Sequence, residues 1–208
     1  MIDAKCSKCR RAGEKLFLKG ERCFGPKCSI AKDAGAPGMH GAKKRRGRGG
    51  SEYGTQLREK QKVKQSYGIR ERQFRKYFDA ASKSRGRTSG ILTQLLETRL
   101  DNVVFRLGFA GSRSQARQMV GHGHFAVNGR RVDIPSYQVK TGDIITIREG
   151  SAGKKIFNDL RTVIKKYDAP EWLAIDKEAL KGEVKRTPTE EESEMPFNLQ
   201  LIIEFYSR

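Results

Sequence analysis

Within residues 99–148 the hydrophobic period changes partway along, and this switch constrains the fold more tightly than any other feature of the chain. Leu100, Val103, Val104 and Leu107 recur at i, i+3, i+4 and i+7, one apolar face of a helix, and Gly108 supplies a natural stop. Ser112-x-x-Gln115 has capping-box spacing and opens a second helix with Ala116, Met119 and Val120 facing inward. After Gly121 the period falls to two. Phe125, Val127 and Val132 alternate around Asn128-Gly129, a strong hairpin signal, and 144–147 adds a strand after the turn Thr141-Gly142-Asp143. The expectation is α+β, with helices packed on a small antiparallel sheet.

The same stretch carries fixed positive charge. Arg113 and Arg117 stand one helical turn apart at the positive end of a helix dipole, which outlines an anion site. Arg130 and Arg131 follow the hairpin turn, and Lys140 precedes the last strand. Five such cations suit a phosphate backbone, each replacing a condensed counterion; a merely solvated basic face is the plainer alternative. The whole chain of 208 residues has 43 Lys and Arg against 24 Asp and Glu, a net of +19, which favours a polyanionic partner. The charge is staged, at +10 over residues 1–50, +14 over 51–167 and −5 over 168–208, so nucleic acid is expected at the front and middle, and protein or solvent at the acidic end. No run of about 18 apolar residues occurs. The N-terminus lacks the apolar core of a signal peptide, so a cytoplasmic protein is expected. Membrane binding by a basic amphipathic helix is disfavoured, because the Gly-rich basic segments lack an apolar face.

All four cysteines fall in the first 28 residues, spaced Cys6-x2-Cys9-x13-Cys23-x4-Cys28. Two close pairs separated by a loop let four sulfurs converge on one ion, the arrangement of a closed structural zinc site. Lys5, Lys8, Arg10 and Arg11 crowd the first pair and favour thiolates. Disulfides suit an exported chain better than this one, and an iron-sulfur cluster uses the same ligands. Residues 29–50 are rich in Gly, Lys and Arg without apolar periodicity. Lys43, Lys44, Arg45, Arg46 and Arg48 there are expected to order on RNA, with a plain linker as the alternative, and His40 is expected in a turn.

From Ser51, which can cap a helix ended by Gly68, three helical segments follow. Phe74, Tyr77, Phe78 and Ala81 form one inward stripe, and Ile91, Leu92, Leu95 and Leu96 another on a helix that could run directly into residue 99. Arg58, Lys60, Lys62, Lys64, Arg70, Arg72, Arg75 and Lys76 are expected mostly on outward faces. Cations spread over several helices suit shape-dependent RNA binding better than reading a DNA major groove. Beyond the module, 154–167 reads as a helix with Ile156, Leu160, Val163 and Ile164 inward, ended by Pro170 and followed by an anchor at Trp172-Leu173. Residues 183–186 could be a strand and 187–194 an acidic loop. The apolar run 199–206 can dock, as helix or strand.

Residues 99–148 resemble the small RNA-binding module first described in small-subunit ribosomal protein four, which is also appended to some pseudouridine synthases and tyrosyl-tRNA synthetases. PGMHG at 37–41, SEYGTQLREKQK at 51–62, YG with ERQFRKYF following, the module and the closing LIIEFYSR extend this resemblance, in order, to the bacterial small-subunit ribosomal protein four family across nearly the whole chain. The cysteine set resembles the zinc-bearing branch. One departure falls at Thr187-Pro188-Thr189-Glu190-Glu191, where the family carries an Arg before the acidic pair. The resemblance implies a zinc-binding and basic extension over 1–50, a helical lobe over 51–97 completed by 175–208, and the RNA-binding module with its following helix over 98–174.

It further implies direct binding to small-subunit rRNA, early in assembly, at a multi-helix junction of the 5′ region. A place near the path by which mRNA enters, contact with ribosomal protein five and other small-subunit proteins, and an influence on decoding accuracy are implied as well. On the residues themselves, phosphate contacts are expected from Arg113, Arg117, Arg130, Arg131 and Lys140, from the Lys43–Arg48 block, and from Arg58, Lys62, Arg70 and Arg72. An RNA-modifying enzyme would need a catalytic lobe. The only histidines are His40, His122 and His124, and no Ser-His-Asp set, phosphate-cradling Gly loop or paired apolar carboxylates accompany them, nor any small-molecule substrate site. A regulator that binds an mRNA leader would use the same basic surface.

Overall fold

The computed structural model describes residues 4–33, 35–39, 41, 51–193 and 197–208. These fall into two compact units, one from residues 1–76 and 196–208, the other from 77–195. The expected boundaries at 97/98 and 174/175 therefore differ from the spatial ones.

In the first unit, α1 (Lys5–Ala12) and a 3-10 turn (Gly20–Cys23) precede α2 (Glu52–Ser66) and the start of α3 (Glu71–Lys83). Ser51 caps α2 as expected, its Oγ accepting from the Gly54 N–H at 3.1 Å. Gly68, at φ 62°, lets the chain leave the helix while the Ile69 N–H closes back on the Lys64 carbonyl at 3.1 Å. The apolar run near the C-terminus is a helix, α9 (Leu199–Tyr206), with the Asn198 side chain accepting from the Leu201 N–H at 3.3 Å. It packs on α2, burying Val63, Leu199 and Ile202, and Tyr206 lies 5.9 Å from Phe74. Period 3.6 over an eight-residue apolar segment cannot choose helix over strand; the α2 face and the Asn cap do.

The second unit holds α4 (Thr88–Glu97), α5 (Leu100–Arg106), α6 (Arg113–Gly121), the strands β1 (Phe125–Val127), β2 (Arg130–Arg131) and β3 (Ile144–Ile147), short helices α7 (Glu149–Ala152) and α8 (Leu160–Lys165), and strands β4 (Leu173–Asp176) and β5 (Lys181–Val184). The five strands are antiparallel in the order β2-β1-β3-β5-β4. Asn128 and Gly129 take positive φ, 50° and 77°, as a two-residue hairpin turn requires. The Asn128 side chain also ties the turn to β3, accepting from the Ile144 N–H at 2.9 Å and donating to Asp143 at 2.8 Å. Leu100, Val103, Val104, Leu107, Ala116, Met119, Val120, Phe125, Val127 and Ile145 form one core with Trp172, Leu173 and Val184.

Three expectations are corrected. The α4 helix does not run on into residue 99: Arg99 is extended (ψ 137°), bridges Gln138, and leaves the Thr98 carbonyl to accept from the Val139 N–H at 2.9 Å. Residues 154–167 are not one helix; a 3-10 turn (Lys155–Phe157) and α8 replace it. Phe157 goes inward, edge-on to Phe125 at 6.2 Å, so Ile156 and Val163 are left exposed while Leu160 and Ile164 stay buried. The larger ring wins the core position because it buries more apolar area. Finally, residues 175–184, expected to help complete the helical lobe, belong with Leu173 and Ala174 to the hairpin of β4 and β5 in this sheet. Gly182 makes this possible: a Cβ there would lie 2.3 Å from a Leu107 methyl, so only a glycine lets α5 lie this close to the sheet.

Candidate nucleic-acid interface

The N-terminus of α6 is capped as its sequence indicates. Ser112 Oγ accepts from the Gln115 N–H at 3.3 Å, while the Gln115 side chain reaches one residue further back than expected, accepting from the Gly111 N–H at 3.0 Å. The two arginines on this turn are not bare cations. Arg113 donates from Nε to Asn102 at 2.7 Å, lies 3.7 Å from a Glu97 oxygen and places its guanidinium 4.9 Å from the centre of the Phe105 ring. Arg117 is 3.4 Å from Asp101 but leaves 46% of its side chain exposed, with donors to spare. Arg113 therefore braces the module, and Arg117 is the member of the pair that faces solvent.

Both are held by a buried ionic network that the sequence reading did not single out. Arg99 donates to both Asp101 oxygens at 3.0 and 2.7 Å and to the Tyr77 hydroxyl at 2.8 Å. Burial disfavours its charge, but the Asp101 bonds overcome that and push its pKa up. Glu97, fully buried, accepts from Arg106 Nε at 3.0 Å and from the Asn102 amide at 2.9 Å, and Arg106 also donates to the Ser193 carbonyl. The alternation Glu97-x-Arg99-x-Asp101 inside an apolar run was the available signal: charges at such positions persist only when paired.

Beside the hairpin, Arg130 is exposed, and among the described residues no acceptor holds it. Arg131 bonds Asp133 at 3.2 Å and lays its guanidinium against Gly123, where a Cβ would come within 2.5 Å of Nε. Arg148, absent from the expected set, donates to the Gly123 carbonyl at 3.1 Å. The turn at Gly123 thus gathers two guanidinium groups. Its neighbour His124 adds no charge: burial, with Lys154, His122 and Arg148 nearby, pushes its pKa down, and Nδ1 lies 3.0 Å from Ser151 Oγ. Lys140 is exposed.

In the first unit Arg58, Arg70 and Arg72 are exposed as expected. Lys60 and Lys62 are corrections. Lys60 is buried against Glu71 at 2.9 Å and sits 4.1 Å from the centre of the Phe205 ring, and Lys62 is shared by Glu14 at 3.0 Å and Glu59 at 2.5 Å. Lys64 joins Lys60 on Glu71 at 2.8 Å, because residues four apart share one helix face. Lys83 at the end of α3 and the loop cations Arg85 and Arg87, all exposed in the second unit, add a cluster outside the expected set. His40 and the block Lys43, Lys44, Arg45, Arg46 and Arg48 lie outside the described residues.

Cys6 and Cys9 lie on α1, Cys23 ends the 3-10 turn, and Cys28 follows; all four line one pocket with Lys5, Lys19 and Arg22, and none is in a disulfide. The Lys19 N–H donates to Cys23 Sγ at 3.3 Å. Backbone N–H groups of Ala31 and Ile30 push the Cys28 thiol down, whereas burial pushes Cys9 up. Among the described residues no three His, Cys, Asp or Glu side chains stand preassembled as a ligand set. The soft donors and the N–H groups aimed at sulfur nevertheless fit a thiolate-bound metal.

Residues 1–97 match the family described as Ribosomal protein S4/S9 N-terminal domain, and residues 98–145 match the S4 domain. The small ribosomal subunit protein uS4 of Thermus thermophilus is 52% identical over 207 residues, covering 100% of this chain and 98% of that protein. The uS4A proteins of Symbiobacterium thermophilum and Alkaliphilus metalliredigens are 51% and 52% identical over 203 and 206 residues, covering 98% and 99% of this chain and 96% and 98% of theirs.

Proposed function

Because the chain belongs to the uS4 family of small ribosomal subunit proteins, we propose that it is a structural, non-catalytic rRNA-binding protein of the small ribosomal subunit. The observation that carries this reading is end-to-end identity of about half the residues with proteins of that name. The surface supports it chemically. Arg58, Arg70, Arg72, Arg117, Arg130, Arg131 and Lys140 all face solvent, and such cations position a protein on ribose-phosphate strands more than they read sequence. With seven of them, roughly six to ten phosphates come within reach once the Lys43–Arg48 block is added. Affinity for small-subunit rRNA should then fall by about three to five decades between 50 and 200 mM salt. A flat salt profile, or a sucrose gradient in which the polypeptide fails to travel with small subunits, overturns the reading.

The finer parts of the proposal are early binding at a 5′ multi-helix junction, contact with ribosomal protein five, and an influence on accuracy near the incoming mRNA. Order-of-addition assembly tests the first. Crosslinking in the subunit tests the second.

The cysteine cluster is proposed to hold one structural zinc through Cys6, Cys9, Cys23 and Cys28. Bound there, the metal supplies folding free energy to the first thirty or so residues and no open coordination position for catalysis. The chain's own part is to present sulfur ligands: backbone N–H groups of Ala31 and Ile30, with Lys15 and Arg22, favour negative charge at Cys28, and the Lys19 N–H donates to Cys23 Sγ. Metal analysis of the purified protein should find about one zinc per chain, and iron in its place would assign a cluster instead.

A further inference from the structure

The cysteine segment also exposes an aromatic pair that its own folding does not use. Leu16 is buried, but the next residue, Phe17, turns outward at φ 50°, a conformation that bulky side chains rarely adopt. It meets Phe24 with ring centroids 5.0 Å apart and planes tilted by 32°. Phe24 is 75% exposed and Phe17 39%, so the pair presents an aromatic face to water. In the sequence Lys15, Lys19, Arg22 and Lys27 each lie within three residues of one ring or the other, the last three exposed, and Glu21 is the one acid between residues 15 and 27.

We infer that the outer face of Phe24, backed by Phe17, is a stacking platform for one unpaired base of an RNA strand whose phosphates are held by Lys19, Arg22 and Lys27. The inference rests on the rRNA-binding reading and adds a contact to it. Stacked bases need about 3.4 Å between planes, so a base between two rings requires nearly 7 Å. At 5.0 Å the gap between Phe17 and Phe24 is closed, which leaves the outer face of Phe24 as the platform and makes Phe17 its support. The left-handed backbone at Phe17 is what brings that support to the surface rather than beside Leu16. Charge selects the occupant: an apolar protein partner gains nothing from four cations adjacent in the chain, whereas a base arrives with its phosphates.

The test is the affinity of the full-length protein and its variants for small-subunit rRNA, titrated at several salt concentrations. Phe24→Ala should weaken binding about 5- to 150-fold, the range for loss of one base–aromatic stack, with the salt slope unchanged. Phe24→Trp should restore affinity and its fluorescence should be quenched on binding, while Phe24→Leu, apolar without a π-face, should stay weak. Phe24→Leu binding like the wild type would overturn the platform and mark the patch as a contact for protein. Equal affinity of Phe24→Ala and wild type would overturn it as well. Failure of the wild type itself to bind rRNA would instead overturn the functional reading. Because Phe24 is so exposed, far-ultraviolet circular dichroism of the variants should match the wild type.

Discussion

Replacing Glu97 by Gln tests whether the buried ionic network, rather than apolar packing alone, fixes the RNA-facing helices. Glu97 is fully buried and Arg106 nearly so, 3.0 Å apart. The amide keeps the side chain's volume and creates no cavity, but it removes the buried carboxylate that faces the Arg106 guanidinium. Removing one partner of such a pair costs about 3–5 kcal/mol, and Arg106 retains the Ser193 carbonyl, so the low end, about 3 kcal/mol, applies. With a urea m-value of about 2 kcal/mol/M the unfolding midpoint should fall by about 1.5 M. Trp172, the only tryptophan and fully buried in the same core, reports the transition by fluorescence. The double variant E97Q/R106M removes both charges and should recover most of the loss. A midpoint for Glu97→Gln within about 0.3 M of the wild type would refute the reasoning, and a double variant as unstable as the single one would show that the cost was never electrostatic.

Other perturbations read different parts of the molecule. Burial pushes the Glu71 carboxyl up, but hydrogen bonds from Lys64, Tyr206 and Lys60 outweigh it and hold its pKa at about 2, below its ordinary 4.5. Its contribution is therefore present above pH 4.5 and lost as pH falls towards 2. Because Glu71 is 44% exposed, screening reduces that contribution to about 1 kcal/mol, and the stability gap between wild type and Glu71→Gln should narrow by that amount between pH 6 and pH 2. Arg130→Ala should lower the slope of log affinity against log salt by about 1 with no change in melting temperature, whereas Lys60→Met should change stability and leave that slope alone. Gly182→Ala forces a methyl onto Leu107 and should cost about 1–3 kcal/mol by urea denaturation, with partial recovery on adding Leu107→Val.

Much of the module was legible because its signals are local. The Ser112 cap, the Asn128-Gly129 turn and the apolar spacing of Leu100 to Leu107 each depend on residues a few positions apart, and each forms as read. The cations were legible as a set but not one by one. Arg113, Lys60 and Lys62 carry the same charge as Arg130, yet they neutralise carboxylates that arrive from Glu97, Glu71 and Glu14. Nothing in the local sequence separates an arginine that braces from one that binds. Strand β4 was missed because Leu173–Asp176 is short and not rich in β-branched residues; pairing with β5 makes it a strand.

The sequence by itself determined the period switch at Gly121, the strong positive charge and the close spacing of the cysteines, since these follow from residue order and chemistry alone. Tertiary structure alone decided which charges went inside, where 154–167 breaks, and that 173–184 joins the sheet. Those outcomes depend on partners distant in the chain. Burying a charge or a strand edge is tolerated only where another element supplies its complement, and that element is set by three-dimensional packing.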